Sequence, residues 1–75
     1  MKNIHLINAR NRKGLSQEEL ALMVGYKGKQ AVSNWENGYS TPPLHKALLV
    51  AEILEEDVSI LFGNKIQESH TKGVG

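Results

Sequence analysis

Apolar residues recur along most of the chain at the three- and four-residue spacing of amphipathic helices. A first helix is predicted over residues 3–13, because Leu6, Ala9 and the stem of Arg10 fall on one face and Gly14 follows. No segment shows the alternation of apolar and polar residues that is typical of a half-buried strand. The pattern therefore predicts an all-α protein.

The second predicted helix has the clearest start in the chain. Ser16 is the expected N-cap, and Glu19 follows it at the spacing of a capping box. Leu15 and Leu20 flank this cap as an expected hydrophobic staple. The helix is predicted to end at Gly25.

A short turn bounded by glycines, residues 25–28, leads into a third helix predicted over residues 29–36. Ala31, Val32 and Trp35 form its apolar face, whereas its other face is polar. Trp35 is therefore expected to pack in the core rather than to stack on a base.

Prolines mark the start of the fourth helix. We expect Pro42 or Pro43 to occupy its first position, with Thr41 as its cap. Its inner face is predicted to carry Leu44, Ala47, Leu48, Ala51 and Leu54. Asp57 is the expected cap of a last short helix, which ends at Gly63.

The length of 75 residues allows one domain. We predict that residues 1–63 form this domain and that the polar residues 64–75 form a flexible tail. The side chains expected in the core are Leu6, Leu20, Val24, Val32, Trp35, Leu48 and Leu61.

The net charge of +1 hides an asymmetry along the chain. Residues 1–30 carry six basic and two acidic side chains, whereas residues 31–63 carry one basic and five acidic side chains. Such a charge dipole orients a small protein toward a polyanion if the halves of the sequence are also separate in space.

Composition excludes several classes of function. The chain has no cysteine, which excludes disulfides and thiolate metal sites and fits a cytoplasmic protein. Its three histidines lack the spacing of metal ligands. We see neither a signal peptide nor an apolar run that spans a bilayer. Because a chain this short has little room for an enzyme cleft, we expect no enzyme activity. We likewise expect no cofactor, metal, small-molecule ligand or membrane partner.

The outer face of the third predicted helix has the chemistry of a base-reading surface. Two helices joined by a short turn containing glycine form a helix-turn-helix, whose second helix enters the major groove of DNA. Lys29, Gln30, Ser33 and Asn34 are all of residue types that read base edges, and none is acidic. A solvated helix face is the alternative interpretation, although such a face usually includes an acidic residue.

Two longer segments support the same interpretation. These are KGLSQEELA at residues 13–21 and AVSNWENG at residues 31–38, and VG at residues 24–25 lies between them. With the proline loop and the closing LFG that follow, residues 6–62 resemble the XRE-type helix-turn-helix family of Cro proteins and phage repressors.

The resemblance implies a compact five-helix, lambda-repressor-like bundle and gives roles to single residues. The base-reading positions of the family match Lys29, Gln30 and Asn34, with Ser33 as an auxiliary. Its phosphate-contacting positions match Gln17, Asn37, Tyr39 and Ser40. A structural ion pair of the family matches Arg10 and Glu36. We also expect Arg12 and Lys27 to contact the DNA backbone.

Three features depart from the family pattern. The turn after Gly25 is one residue longer than the commonest spacing, which leaves the roles of Lys29 and Gln30 open by one position. Leu22 and Met23 stand where polar residues are usual, and they serve either as a partner surface or as a cover for the tail. A Glu55-Glu56 pair before the last helix predicts a looser connection.

These observations predict a transcriptional regulator that binds specific double-stranded DNA, in the style of a Cro repressor. We expect a homodimer on the operator, joined through the last helix near Val58, Ile60 and Phe62. The alternative is a protein-interaction module, such as an antitoxin or antirepressor, that uses Leu22, Met23 or the tail.

Overall fold

The computed structural model describes residues 1–63, and the predicted tail at residues 64–75 lies outside the described residues. The elements are α1 (Ile4–Arg12), α2 (Gln17–Val24), α3 (Gln30–Asn37), α4 (Leu44–Leu54) and α5 (Val58–Phe62). No strand occurs in residues 1–63, which confirms the all-α prediction. α3 packs against α1 and α2, while α4 and α5 pack against each other and close the other side of the bundle.

Side-chain caps start three of the helices. The Ser16 hydroxyl accepts from the Glu19 amide at 2.9 Å, and the Glu19 carboxylate accepts from the Ser16 amide at 2.8 Å, which completes the capping box. Asn3 caps α1 by accepting from the amide of Leu6. Asp57 caps α5 by accepting from the backbone amide and the hydroxyl of Ser59, and these two hydrogen bonds lower the pKa of the Asp57 carboxyl.

The fourth helix starts one residue after Pro43, the later of its two expected first positions, and Thr41 is not its cap. Pro43 has extended backbone angles and is followed by Leu44, the first helical residue, with no side-chain cap. A residue that precedes a proline is disfavoured in the helical region, so neither Thr41 nor Pro42 enters the helix readily. The buried Pro42 ring contributes to packing instead.

The core contains Leu6, Leu20, Val24, Val32, Trp35 and Leu61. The prediction that Leu48 lies in the core is wrong, because 49% of this residue is exposed, whereas Val50 is fully buried. The buried face of α4 runs through residues 47, 50, 51 and 54, which turns position 48 outward. Since residues 47–51 are all apolar, periodicity alone leaves two faces of this helix nearly equivalent.

An aromatic column links the helix-turn-helix to the last helix. Trp35 meets Tyr26 edge to face with ring centroids 5.5 Å apart, and it meets Phe62 in the same manner at 6.3 Å. Phe62 is only 4% exposed, so the prediction that it forms part of a dimer surface is wrong. Its place at the end of a short amphipathic helix gave no sign that it would pack behind the indole.

The connection between α4 and α5 is held at two points rather than being loose. Lys13 lies 3.0 Å from the Glu55 carboxylate, and Arg12 lies 3.2 Å from that of Glu56. Glu55 also ends α4 in the left-handed backbone region, with φ at 55°. The two glutamates therefore join the end of α1 to this turn.

Candidate nucleic-acid interface

The α2–α3 turn is fixed by backbone geometry and by α4. Gly25 ends α2 with φ at 101°, a left-handed value that disfavours other residues. The amide of Tyr26 donates to the carbonyl of Ala21 at 2.9 Å. Lys46 reaches from α4 to donate to the Val24 carbonyl at 2.7 Å, and its ammonium lies 5.2 Å from the centre of the Tyr26 ring. α3 therefore leaves the turn in a defined direction.

α3 separates an inner face from an outer face. Val32, Trp35 and Glu36 are buried, whereas Lys29 and Gln30 are exposed. Ser33 and Asn34 lie farther along the helix and are partly exposed. The structure thus brings the four expected base-reading side chains to the accessible side of one helix.

The amides of Gln30 and Asn34 are joined across one turn of α3. Gln30 Nε2 donates to Asn34 Oδ1 at 3.0 Å. This bond leaves Gln30 Oε1 as an acceptor and the Asn34 amide nitrogen as a donor. Lys29 precedes the helix, and its carbonyl accepts from the Ser33 amide at 2.9 Å. The longer turn left the roles of Lys29 and Gln30 open by one position, and both residues are exposed at the start of α3.

A buried carboxylate joins the first three helices. Glu36 accepts from Arg10 Nε at 2.5 Å, from Arg10 Nη2 at 3.2 Å and from Gln17 Nε2 at 2.9 Å. Arg10 also donates from Nη1 to the carbonyl of Leu15 at 2.8 Å. The Gln17 amide, expected to contact phosphate, is thereby held at the first residue of α2 with one N–H still available.

The expected contacts after α3 occupy a second exposed segment. Tyr39 and Ser40 are exposed, and the Tyr39 amide donates to the carbonyl of Asn34 at 2.9 Å. Asn37 donates to the Ser33 hydroxyl at 3.4 Å and accepts from Lys2 Nζ at 3.2 Å. The Tyr39 amide thus joins the loop to α3, and Asn37 joins the outer face of α3 to Lys2.

Two further expected phosphate contacts lie in different surroundings. Lys27 is exposed within the α2–α3 turn and has no acidic partner in residues 1–63. Arg12 is instead engaged with Glu56 at the end of α1. No local sequence pattern indicates a role for Lys2 or Lys46, because their contacts are with residues 35 and 22 positions away.

Other kinds of site find little support in the part of the chain that the structure describes. Among residues 1–63, no three histidine, cysteine or acidic side chains are grouped so as to hold a metal ion. None of the helices there has the length and apolarity needed to span a bilayer.

Comparison with known families agrees with this geometry. A family model described as helix-turn-helix matches residues 6–61, which is well over half of the chain. The match begins within α1 and ends within α5, so it includes the capping box, the turn and all of α3. Searches of curated proteins and of solved structures gave no match.

Proposed function

The chain belongs to the XRE-type helix-turn-helix family, and we propose that within it this protein acts as a Cro-like repressor that binds a specific operator as a homodimer. Family membership itself assigns a DNA-binding function of the transcription-regulator type. The proposal adds the operator, the dimer and the sign of regulation.

The outer face of α3 carries the proposal. Gln30 and Asn34 offer an acceptor and a donor one helical turn apart, and adenine presents the complementary N6 donor and N7 acceptor in the major groove. Lys29 beside them suits guanine, whose O6 and N7 are both acceptors. We therefore propose that each half-site contains an adenine read by the Gln30–Asn34 pair.

Phosphate contacts would orient α3 in the groove. Gln17 stands at the start of α2, where the backbone amides and the helix dipole favour an anion. Lys27 lies in the turn before α3, Asn37 is the last residue of α3, and the exposed Tyr39 and Ser40 follow it. We rank Arg12 below these contacts, because its guanidinium must leave Glu56 to reach a phosphate.

The dimer is proposed because a single helix-turn-helix makes few base contacts. Two-fold dimers place their α3 equivalents on half-sites about 34 Å apart. Of the three residues expected at the dimer surface, Ile60 is 47% exposed, whereas Val58 packs partly against the core. Ile4 is also exposed and lines the same shallow cavity as Ile60, so we propose this isoleucine pair as the centre of the dimer surface.

Selection from random duplexes, followed by footprinting on the enriched sequence, tests the operator. We expect a two-fold symmetric sequence with an adenine at equivalent places in both halves. A reporter gene placed behind that sequence tests the sign of regulation, and the protein should lower its expression. Enrichment of no sequence, or higher reporter expression, would contradict the proposal.

A protein-interaction module is the second candidate, and one observation favours it. Leu22 and Met23 are adjacent on α2 and are 53% and 52% exposed. The affinity of a DNA-binding protein decreases steeply with salt, since log K falls by about 0.9 per tenfold rise in salt concentration for each phosphate that the protein neutralises. If the protein does not bind any duplex at low salt, the interaction module becomes the better interpretation.

A further inference from the structure

The segment that precedes α1 is fastened to the end of α3. The amide of Asn3 donates to the carbonyl of Glu36 at 2.8 Å, and its side-chain amide donates to the carbonyl of Leu61 at 2.7 Å. Asn3 also caps α1. These three bonds fix where residues 1–2 run, which is along the end of the helix that faces DNA in the proposed function.

Gly38 provides the space for this path. A Cβ atom at position 38 would collide with the backbone of Met1, and Gly38 itself has φ at 81°. Only glycine accommodates both the left-handed backbone and the close approach without a shift of the segment. Lys2 is thereby carried to Asn37, whose side-chain oxygen accepts from its ammonium.

The pairing of charges in residues 1–63 shows why the position of Lys2 matters. Arg10, Arg12 and Lys13 are in ion pairs, and Lys46 donates inward to the carbonyl of Val24. The exposed basic side chains of this part without an acidic partner are Lys2, Lys27 and Lys29. Lys27 and Lys29 precede α3, whereas Lys2 lies beside its last residue.

The uncompensated positive charge is therefore placed at both ends of one short helix. α3 has eight residues. A helix of that length extends about 12 Å, which is close to the width of the major groove of B-DNA. A helix seated in the groove with cations at both ends meets phosphates on both walls, and the cations before α3 serve one wall only.

We infer that Lys2 is a DNA-backbone contact, which binds a phosphodiester on the side of α3 opposite to Lys27. This inference rests on the proposed function and extends its interface to a segment outside the helix-turn-helix. The Lys2 ammonium has three N–H donors, of which one is used on Asn37, so two remain for a phosphate oxygen. The residue carries no sequence information, because every base pair presents the same phosphate.

Salt dependence separates a phosphate contact from a structural role. The full chain and its Lys2→Met, Lys2→Arg and Lys13→Met variants are titrated with a random-sequence duplex of about 25 base pairs between about 50 and 200 mM NaCl. Lys13 is the matched control, because its charge is already paired with Glu55. Thermal unfolding by circular dichroism verifies that each variant is folded.

Loss of one phosphate contact gives a defined result. Lys2→Met should reduce the slope of log K against log salt by about 0.9, so that its affinity falls about 3.5-fold less than that of the unaltered chain over the fourfold rise in salt. Lys2→Arg should keep the original slope, and so should Lys13→Met. Binding to all duplex sequences should weaken alike.

Three results would overturn the inference in distinguishable ways. An unchanged slope in Lys2→Met, with normal binding by the unaltered chain, removes Lys2 from the interface and leaves the proposed function standing. An equal decrease in Lys2→Met and Lys13→Met shows an effect of total charge instead of a contact. If the unaltered chain binds no duplex at the lowest salt, both the inference and the proposed function fail.

Discussion

Arg10 and Glu36 join the first helix to the end of the third through two hydrogen bonds in the protein interior. Their side chains are only 13% and 5% exposed, and Glu36 accepts a further hydrogen bond from Gln17. Water therefore contributes little to the solvation of the Glu36 carboxylate, and the hydrogen bonds from Arg10 and Gln17 must take the place of hydration. The direction of α3 depends on that replacement being complete.

Removal of one member of this pair should be costly. Arg10→Met leaves the Glu36 carboxylate with Gln17 as its remaining side-chain partner, and we expect the free energy of unfolding to fall by about 3–5 kcal/mol. That is a large part of the roughly 4–11 kcal/mol expected for a chain of this size. Urea unfolding followed by circular dichroism measures the change.

Arg12→Met is the matched control, because the Arg12–Glu56 pair lies at the surface. Exposed ion pairs of this kind contribute about 0–1 kcal/mol, so the control should unfold close to the unaltered chain. A double variant, Arg10→Met with Glu36→Leu, should recover part of the loss by removing both charges. Equal effects of Arg10→Met and Arg12→Met would show that the buried pair has no special weight.

Gln30→Ala should weaken binding to the selected operator by about 1–3 kcal/mol, since the two-point contact of the Gln30–Asn34 pair with adenine loses its acceptor. Preference at one base pair should relax at the same time. Competition among duplexes that differ at single positions measures both effects. Lys27→Ala is the comparison, because loss of a phosphate contact weakens all sequences alike. If affinity and base preference are unchanged in Gln30→Ala, the proposed placement of α3 in the groove is wrong.

Lys46→Met should destabilise the turn between α2 and α3. The Lys46 ammonium donates to the Val24 carbonyl at the end of α2 and lies near the face of Tyr26. A cation at a helix C-terminus and a cation–π contact each stabilise by about 0.5–1 kcal/mol, so a loss of about 1–2 kcal/mol is expected.

Equilibrium unfolding in urea measures the effect, with Lys29→Met as the exposed control. Lys46→Arg retains the positive charge and should lose less stability than Lys46→Met. A result in which Lys46→Met and Lys29→Met are equally stable would show that the link from α4 to the turn is unimportant.

Asp57 should give the fold a dependence on acid. The pKa of its carboxyl is lowered from 3.8 by the hydrogen bonds from Ser59, so the folded state favours the ionised form. The contribution is therefore fully present above the unfolded-state pKa, and it is lost as the pH falls through the lowered folded-state value. Asp57→Ala should lower stability at neutral pH and flatten its decline in acid.

Urea unfolding at a series of pH values, from neutral down to below the ordinary aspartate range, measures this dependence. Ser59→Ala removes the hydroxyl donor and retains the backbone amide, so its acid profile should lie between those of Asp57→Ala and the unaltered chain. Parallel profiles for Asp57→Ala and the unaltered chain would contradict the role of this cap.

Local sequence signals predicted most of the fold. The capping box at Ser16 and Glu19, the glycine after each of α2 and α3, and the spacing of Val32 and Trp35 are determined within a few residues. Such signals place helix ends and inner faces because their physical causes are local. The all-α class and the family followed from them and are confirmed.

The sequence signals were insufficient where contacts between residues far apart in the sequence determine which side chains are buried or paired. Leu48 lies in a continuous apolar run, so only the packing of α4 on its neighbours determines which side is buried. Phe62 is covered because Trp35 lies across from it. Lys2 belongs to the end of α3 through Asn37, and no pattern near residue 2 indicates this.

Ile60→Lys should separate the proposed dimer without unfolding the subunit. Ile60 is nearly half exposed on α5, and Ile4 lines the same cavity, so the apolar surface that remains uncovered in one subunit includes both residues. A lysine here is readily solvated in the free subunit, whereas in a two-fold interface it meets its own symmetry copy at a desolvated centre.

Sedimentation on the selected operator should show two bound subunits for the unaltered chain and one for the Ile60→Lys variant. The variant should bind the full site more weakly and an isolated half-site as well as the unaltered chain does. Leu48→Lys, at a position of α4 that is 49% exposed and does not line this cavity, is the control for added charge and should still bind as a pair. A variant Ile60→Lys that remains paired on the operator would place the dimer surface elsewhere.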